Sequence, residues 1–211
     1  DADGAVTGNT RRFGASLEKI EQVVNVRDGE IMFGLNMVVH KGKTIFVGDT
    51  SVHEYPTSEQ MAEIAISTAR VVRLFGFEPK VAFVSHSTFG QPLTSRTKHI
   101  RKAVDILKDK KVDFEFDGDM QPDVALNAEY EELYPFSKIV GKANILIMPG
   151  QHSAAISYKM MKTLGGTKVI GPLLIGLGLP IEIAPLRSST SELINLASIA
   201  AYSADIIDYK K

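Results

Sequence analysis

The hydrophobic positions of this chain alternate between two spacings, and the alternation itself outlines an architecture. Residues 31–40 and 43–49 are two β-rich runs joined by Lys41-Gly42, a connection of hairpin length that predicts an antiparallel pair. After Pro56, Thr57 can cap a helix with Gln60 three residues on. Met61, Ile64, Ala65, Thr68, Val71, Val72 and Phe75 then recur at helical spacing until Gly76. Residues 80–84 read as a buried strand, 85–97 as a loop, and Ile100, Val104 and Leu107 as the face of a second helix. The pattern repeats with a strand at 112–116 and a short helix at 122–131. A third round has a strand at 144–148, then a helix from Ser153 that bears Ile156, Met160 and Leu164 and stops at Gly165-Gly166. Residues 169–177 and 181–184 are further β-type runs. A long helix from about Thr190 closes the chain with Leu193, Ile194, Ala197, Ala200, Ala201 and Ile206. Strands alternating with helices predict an α/β fold: a mainly parallel sheet with helices on both faces and one antiparallel pair near the N-terminus.

Composition narrows what such a fold can serve. At about 150 residues per domain, 211 residues make roughly 1.4 domains, and 44% hydrophobic residues supply a self-supporting core. The 24 basic and 25 acidic side chains leave a net charge of -1, so no general field would hold the chain on nucleic acid or on an acidic membrane. Any anion site must be local. The absence of cysteine excludes disulfides, thiolate zinc clusters and thiol catalysis, and an intracellular, cytoplasmic setting is expected. The opening Asp1-Ala2-Asp3-Gly4 has neither an initiating Met nor a leader pattern, which reads as a piece of a longer chain. The most apolar stretch, 169–184, is broken by Gly171, Pro172, Gly176, Gly178, Pro180 and Glu182, so no membrane span is expected.

In an open α/β sheet, ligands gather where strands run into helix N-termini, and four loops qualify on that ground. Thr7, Gly8, Asn9, Thr10, Arg11 and Arg12 offer hydroxyls, a glycine and two guanidinium groups, chemistry for a phosphate or carboxylate, although a solvated loop has the same composition. Ser85-His86-Ser87-Thr88-Phe89-Gly90 contains a Ser-His pair. Adjacent residues of an extended chain point to opposite faces and no nucleophile elbow is present, so a helix-capping loop is expected there. Asp117, Asp119 and Asp123 lack the spacing of a calcium loop, and turn or capping duty is expected of Asp119 and Asp123. Arg187 before Ser188, Ser189, Thr190, Ser191 and Glu192 is an anion-site pattern, while Ser189 and Glu192 also fit a capping box. No nucleotide-phosphate glycine motif occurs. His40, His53, His86, His99 and His152 show no metal-ligand spacing, so helix-start or surface roles are expected of them and no metal site is.

Taken in order, four segments are more specific together than singly. They are 81–90 (VAFVSHSTFG), 117–126 (DGDMQPDVAL), 143–149 (ANILIMP) and 170–177 (IGPLLIGL), and with them the chain resembles the phosphate acetyl/butyryltransferase family from about Ala5 onward. Ser87-Thr88-Phe89-Gly90, His152-Ser153-Ala154 and Gly171-Pro172-Leu173-Leu174 resemble more closely the C-terminal phosphotransacetylase-like domain of bacterial multifunctional malic enzymes. The resemblance implies a phosphotransacetylase-like, isocitrate/isopropylmalate-dehydrogenase-like fold and one domain over 1–211 that lacks its N-terminal segment. It also implies that NADP and a divalent metal belong to a malate-oxidising part elsewhere in the parent.

In active members of that family a Ser-Arg pair precedes the last helix and an Asp within it helps deprotonate the CoA thiol. Aligned through Asn195-Leu196-Ala197, those positions hold Pro185, Leu186 and Glu192, and a second helper Arg falls near Glu18. The resemblance therefore implies an acetyl-CoA-binding regulatory domain, idle as an acyltransferase, with acetyl-CoA or CoA held by Thr7, Gly8, Asn9, Thr10, Arg11, Arg12, Ser87, Thr88, Arg187, Ser188, Ser189 and Glu192. The alternatives are a working phosphate acetyltransferase that uses Arg187 or Arg11 as its clamp, and an assembly scaffold. A homodimer or higher homo-oligomer is the expected partner state.

Overall fold

The computed structural model describes residues 2–206. In chain order it has β1 (Ala5–Gly8), α1 (Phe13–Glu21), β2 (Phe33–His40), β3 (Lys43–Gly48), α2 (Ser58–Leu74), β4 (Lys80–Val84), α3 (Ser95–Lys110) and β5 (Glu115–Met120). There follow α4 (Pro122–Leu126), β6 (Ile145–Ile147), α5 (Gln151–Leu164), β7 (Lys168–Ile175), β8 (Ile181–Ala184) and α6 (Thr190–Ile206).

Six strands form one sheet in the order β5-β4-β6-β3-β2-β7, and β1 pairs in parallel with β8 in a separate two-stranded sheet. The β5-β4, β4-β6 and β6-β3 pairings are parallel. The hairpin β2-β3 is antiparallel, as expected from Lys41-Gly42. A second antiparallel pairing, β2 with β7, has no short-range signal in the sequence.

Period-2 alternation delivers each strand's side chains to two cores. Val81 and Phe83 of β4 join Phe46, Met61, Ile64, Ile100, Val104 and Leu107 beneath α2 and α3, while Ala82 and Val84 join Val124, Ala125 and Ala154 beneath α4 and α5. A third cluster, Ile20, Met32, Leu174, Leu177 and Ile183, packs α1 on the β8 side. The capping box Thr57/Gln60 begins α2 as its sequence predicts.

Several elements differ from expectation for physical reasons. The strand expected at 112–116 runs instead through Glu115–Met120, because Asp117 to Met120 continue the pairing with β4 up to Val84. The short helix expected at 122–131 is α4 followed by a 3-10 turn, Ala128–Tyr130. The stripe Ile156, Met160 and Leu164 does not face the core: Ile156 is 57% and Leu164 79% exposed, and Ala154 is the helix's one buried residue. In α6 the packed positions are Leu193, Leu196, Ile199 and Ala200, while Ile194, Ala197, Ala201 and Ile206 are exposed. No helix among the described residues is long and apolar enough to cross a membrane.

Candidate functional site

Two of the four loops meet at the carboxyl ends of the β1/β8 pair. Register Gly8↔Ala184 places them side by side. The Asn9 N–H donates to Ala184 O at 2.9 Å, and the Arg187 N–H donates to Asn9 O at 3.1 Å. Gly8 is required here. Its φ is +100°, and a Cβ at that position would lie 2.4 Å from Ala184 O. Asn9 (φ 63°) and Arg187 (φ 60°) both adopt left-handed backbone, which turns the chain out of each strand.

Arg11, Arg12 and Arg187 are exposed and form no ion pair among the described residues. Arg12 sits at the start of α1, where unpaired backbone N–H groups also favour an anion. Asn9 Oδ1 is buried without a hydrogen-bond partner among the described residues. Thr7 and Thr10 are exposed beside them. The arrangement can hold a phosphate or carboxylate through guanidinium groups.

Glu192 is differently placed. Its Oε2 accepts from the Ser189 N–H at 2.8 Å and from Ser189 Oγ at 2.9 Å, its own N–H donates back to Ser189 Oγ, and Lys162 Nζ donates to Oε1 at 2.6 Å. These contacts, led by the Lys162 hydrogen bond, pull its carboxyl down to about 2. Pro185 and Glu192 line a cavity of only about 10 Å³ with Ile170, Gly171, Asn195 and Leu196. Ser188 Oγ donates to Pro185 O, so the hydroxyls of Ser188 and Ser189 serve the turn and the cap. Leu186 is exposed.

The structure does not bring Ser87 and Thr88 to these arginines as binding groups. Both are buried: Ser87 Oγ donates to Asp119 Oδ2, and Thr88 Oγ1 accepts from the Gln121 N–H at 3.2 Å. Asp119 is correspondingly neither a turn residue nor a cap. It is fully buried in β5 and also accepts from the Gly90 N–H at 3.1 Å, tying the β4-α3 loop to the neighbouring strand. Asp123 lies in the first turn of α4 and accepts from the Tyr130 hydroxyl. Ser85 is buried and His86 exposed, the opposed orientation that the extended chain predicts. The surface role expected of His53 and His99 is corrected as well. His53 Nδ1 contacts Asp49 Oδ2 at 2.7 Å, and His99 bridges Ser58 Oγ and Pro56 O.

A second concavity, about 430 Å³, lies at the carboxyl ends of β3, β4 and β6; it takes Ser85 and His86 from a loop that the sequence singles out, and Glu54, Tyr55 and Arg96, which sequence reasoning missed. Buried Asp49 accepts the N–H groups of Gly34, Ser51, Val52 and His53, and so shapes the loop that carries Glu54 and Tyr55 to the rim. The Arg96 guanidinium lies 5.4 Å from the Tyr55 ring centroid, and the His152 ring stacks on Tyr55 at 6.4 Å. Gly48-Asp49-Thr50-Ser51 after a strand was the available signal, since a short carboxylate there collects backbone donors. Ser153 at this concavity and Lys162 at Glu192 are nine residues apart on α5, which at helical rise is about 14 Å, so the four loops fall into two groups. Among the described residues, no group of three or more His, Asp or Glu is placed to hold a metal ion.

The fold is thus an α/β domain whose mainly parallel sheet is covered by helices on both faces, with an arginine-bearing loop pair beyond a short parallel sheet. The chain belongs to the phosphate acetyl/butaryl transferase family, whose pattern matches residues 1–201. It is 47% identical over 204 residues to an NADP-dependent malic enzyme of Rhizobium meliloti, covering 97% of this chain and 27% of that protein. It is 31% identical to a phosphate acetyltransferase of Bacillus subtilis, covering 96% of this chain and 64% of that protein. A solved phosphotransacetylase from Streptococcus pyogenes superposes with a TM-score of 0.91 at 29% identity, over 97% of this chain and 63% of that one. The chain therefore spans about a quarter of the malic enzyme and under two thirds of the transferases.

Proposed function

We propose that this chain is an acetyl-CoA-binding regulatory domain of a malic enzyme that oxidatively decarboxylates malate with NADP, and that the domain itself does not transfer acetyl groups. The observation that carries the reading is the state of Glu192. A carboxylate at about 2, closed into a capping box and paired with Lys162, is a weak base for a thiol whose ordinary pKa lies near ~8.5. Leu186 supplies no guanidinium at the position that the family resemblance assigns to the phosphoryl clamp. Arg11, Arg12 and Arg187 remain available for the phosphates of acetyl-CoA, which need only be held. Regulation requires that acetyl-CoA bind two states of the parent with different affinity, and about 1 to 3 kcal/mol is the usual size of such coupling.

Calorimetric titration of acetyl-CoA into the chain tests binding, and Arg187→Ala should weaken it about three- to tenfold. No heat at millimolar ligand overturns the reading. Thioester formation from acetyl phosphate and CoA, followed by absorbance, tests the alternative of a working phosphate acetyltransferase. That alternative draws on the Arg187–Asn9 contact, which puts Arg187 beside Arg11's loop; a rate above buffer favours it. The exposed α5 stripe favours self-association in addition. Light scattering should show a homo-oligomer, and a concentration-independent monomer removes that part.

A further inference from the structure

A cavity of about 340 Å³ lies away from both loop groups, between the C-terminal half of α2, the end of β7 and the C-terminal half of α6. Its walls are mainly aliphatic and aromatic, among them Phe75, Leu173, Leu177 and Ile199. Its volume falls in the range of small-molecule sites, which pair apolar walls with a few placed polar groups.

The polar groups are distributed unevenly. At one side Glu30 accepts from Ser67 Oγ at 2.9 Å and pairs with Arg70, while the Tyr202 hydroxyl donates to Leu74 O at 3.1 Å; these groups satisfy one another. Glu182, on β8, does not have that company. It is 3% exposed and lines the cavity, its Oε2 accepts the Leu174 N–H at 2.9 Å, and Oε1 has no hydrogen bond among the described residues.

A carboxyl group so enclosed is neutral at pH 7, because burial pushes its pKa to about 8 against the smaller opposing effect of the Leu174 N–H. A neutral carboxyl whose one oxygen already accepts a backbone N–H presents its O–H from the other. Oε1 opens on the cavity, so a ligand that accepts this O–H replaces a hydrogen bond to solvent while its apolar body leaves water for the apolar walls.

We infer that this cavity binds a small apolar molecule bearing one carbonyl-type acceptor, with the acceptor on Glu182 Oε1 and the hydrocarbon body against Phe75, Leu173, Leu177 and Ile199. An ammonium head is disfavoured by the same geometry, since it would need Glu182 ionised in a site that gives it one N–H.

Cyclohexanone and methylcyclohexane serve as probes of matched shape, read by the methyl resonances of Leu173, Leu177 and Ile199 at pH 7. Cyclohexanone should shift these resonances saturably and bind at least about fivefold tighter than methylcyclohexane. Glu182→Leu should abolish that preference while leaving the hydrocarbon's shifts in place, and Glu182→Gln, which keeps a donor, should retain most of it. Dispersed methyl spectra establish that each variant is folded. The inference is overturned if cyclohexanone gives no saturable shift, or if its advantage over methylcyclohexane is the same in Glu182→Leu as in the parent chain.

Discussion

Glu182 also sets a pH dependence that the other carboxylates cannot produce. Its carboxyl rises from an ordinary 4.5 to about 8 on folding, driven by burial. Between those two values the folded chain holds a proton that the unfolded chain has released. Stability from this group is therefore fully present below about 4.5, declines by at most about 1.4 kcal/mol per pH unit, and is lost once pH passes about 8. The whole effect is on the order of 5 kcal/mol, a large share of the stability of an ordinary domain. Glu30, Glu59 and Glu192 are shifted the other way and titrate below 4.5, so they contribute a constant from pH 5 upward. The other charged groups at the cavity are Glu30, Arg70 and Arg27, and both arginines act on Glu30. Glu182→Gln preserves the acceptor for the Leu174 N–H and removes the titration. In urea unfolding at pH 5, 6, 7, 8 and 9, the variant and the parent chain should be close at pH 5, and the variant should be more stable by several kcal/mol at pH 9. A difference between them that stays flat across this range would refute the burial argument, because histidines and exposed carboxylates are common to both chains and cancel.

Two further outcomes follow from packing. Gly8→Ala forces a Cβ to 2.4 Å from Ala184 O at φ +100°, so the substitution should cost roughly 3 kcal/mol or more and loosen the β1/β8 pair. A loss of unfolding free energy below about 0.5 kcal/mol would count against the register. Asp119→Ala leaves Ser87 Oγ and the Gly90 N–H without their buried acceptor and should cost roughly 2 to 4 kcal/mol by thermal unfolding, with Asp119→Asn milder.

What the sequence made legible, and what it did not, divides along the range of the interactions. Capping at Thr57/Gln60, the Lys41-Gly42 hairpin and the strand 80–84 depend on neighbours within a few residues, and each is found where local chemistry puts it. The β2-β7 pairing joins segments more than a hundred residues apart, and no local signal distinguishes an antiparallel partner from a parallel one there. The α5 stripe misled because periodicity shows that a face is apolar and not what covers it. Among candidate site residues, Arg11, Arg12 and Arg187 are legible as cations in glycine- and hydroxyl-rich loops, and they form no ion pair among the described residues. Ser87 and Thr88 have the same loop composition but are buried by Asp119 and the Gln121 N–H, partners more than thirty positions away. In the sequence Glu182 stands out only as a break in an apolar stretch. Its enclosure depends on α2 and α6 closing over β8, which no sequence window contains.

One methylene at position 192 matters through its reach to Lys162 from within a capping box. The box needs an acceptor at the third helical position that reaches back to the residue before the helix, which Gln60 supplies in α2, the shorter Thr97 in α3 and Glu192 in α6. Glu192 meets that condition, and in doing so turns its carboxylate toward the Ser189 N–H and Lys162. An Asp there, the residue that the family resemblance assigns to active transferases, would keep the cap, as Thr97 does, but would fall about one methylene short of Lys162 and be free for a proton. Glu192→Asp should therefore raise this carboxyl from about 2 toward its ordinary value, because the Lys162 hydrogen bond is the largest effect that lowers it, read by the side-chain carbonyl shift in a pH titration. Acetyl transfer should stay at the buffer rate in that variant and rise only when Leu186→Arg is added, because a freed base without a phosphoryl clamp has nothing positioned to act on. A carboxyl that still titrates near 2 in Glu192→Asp would refute the role given to Lys162 and show that the Ser189 donors hold it.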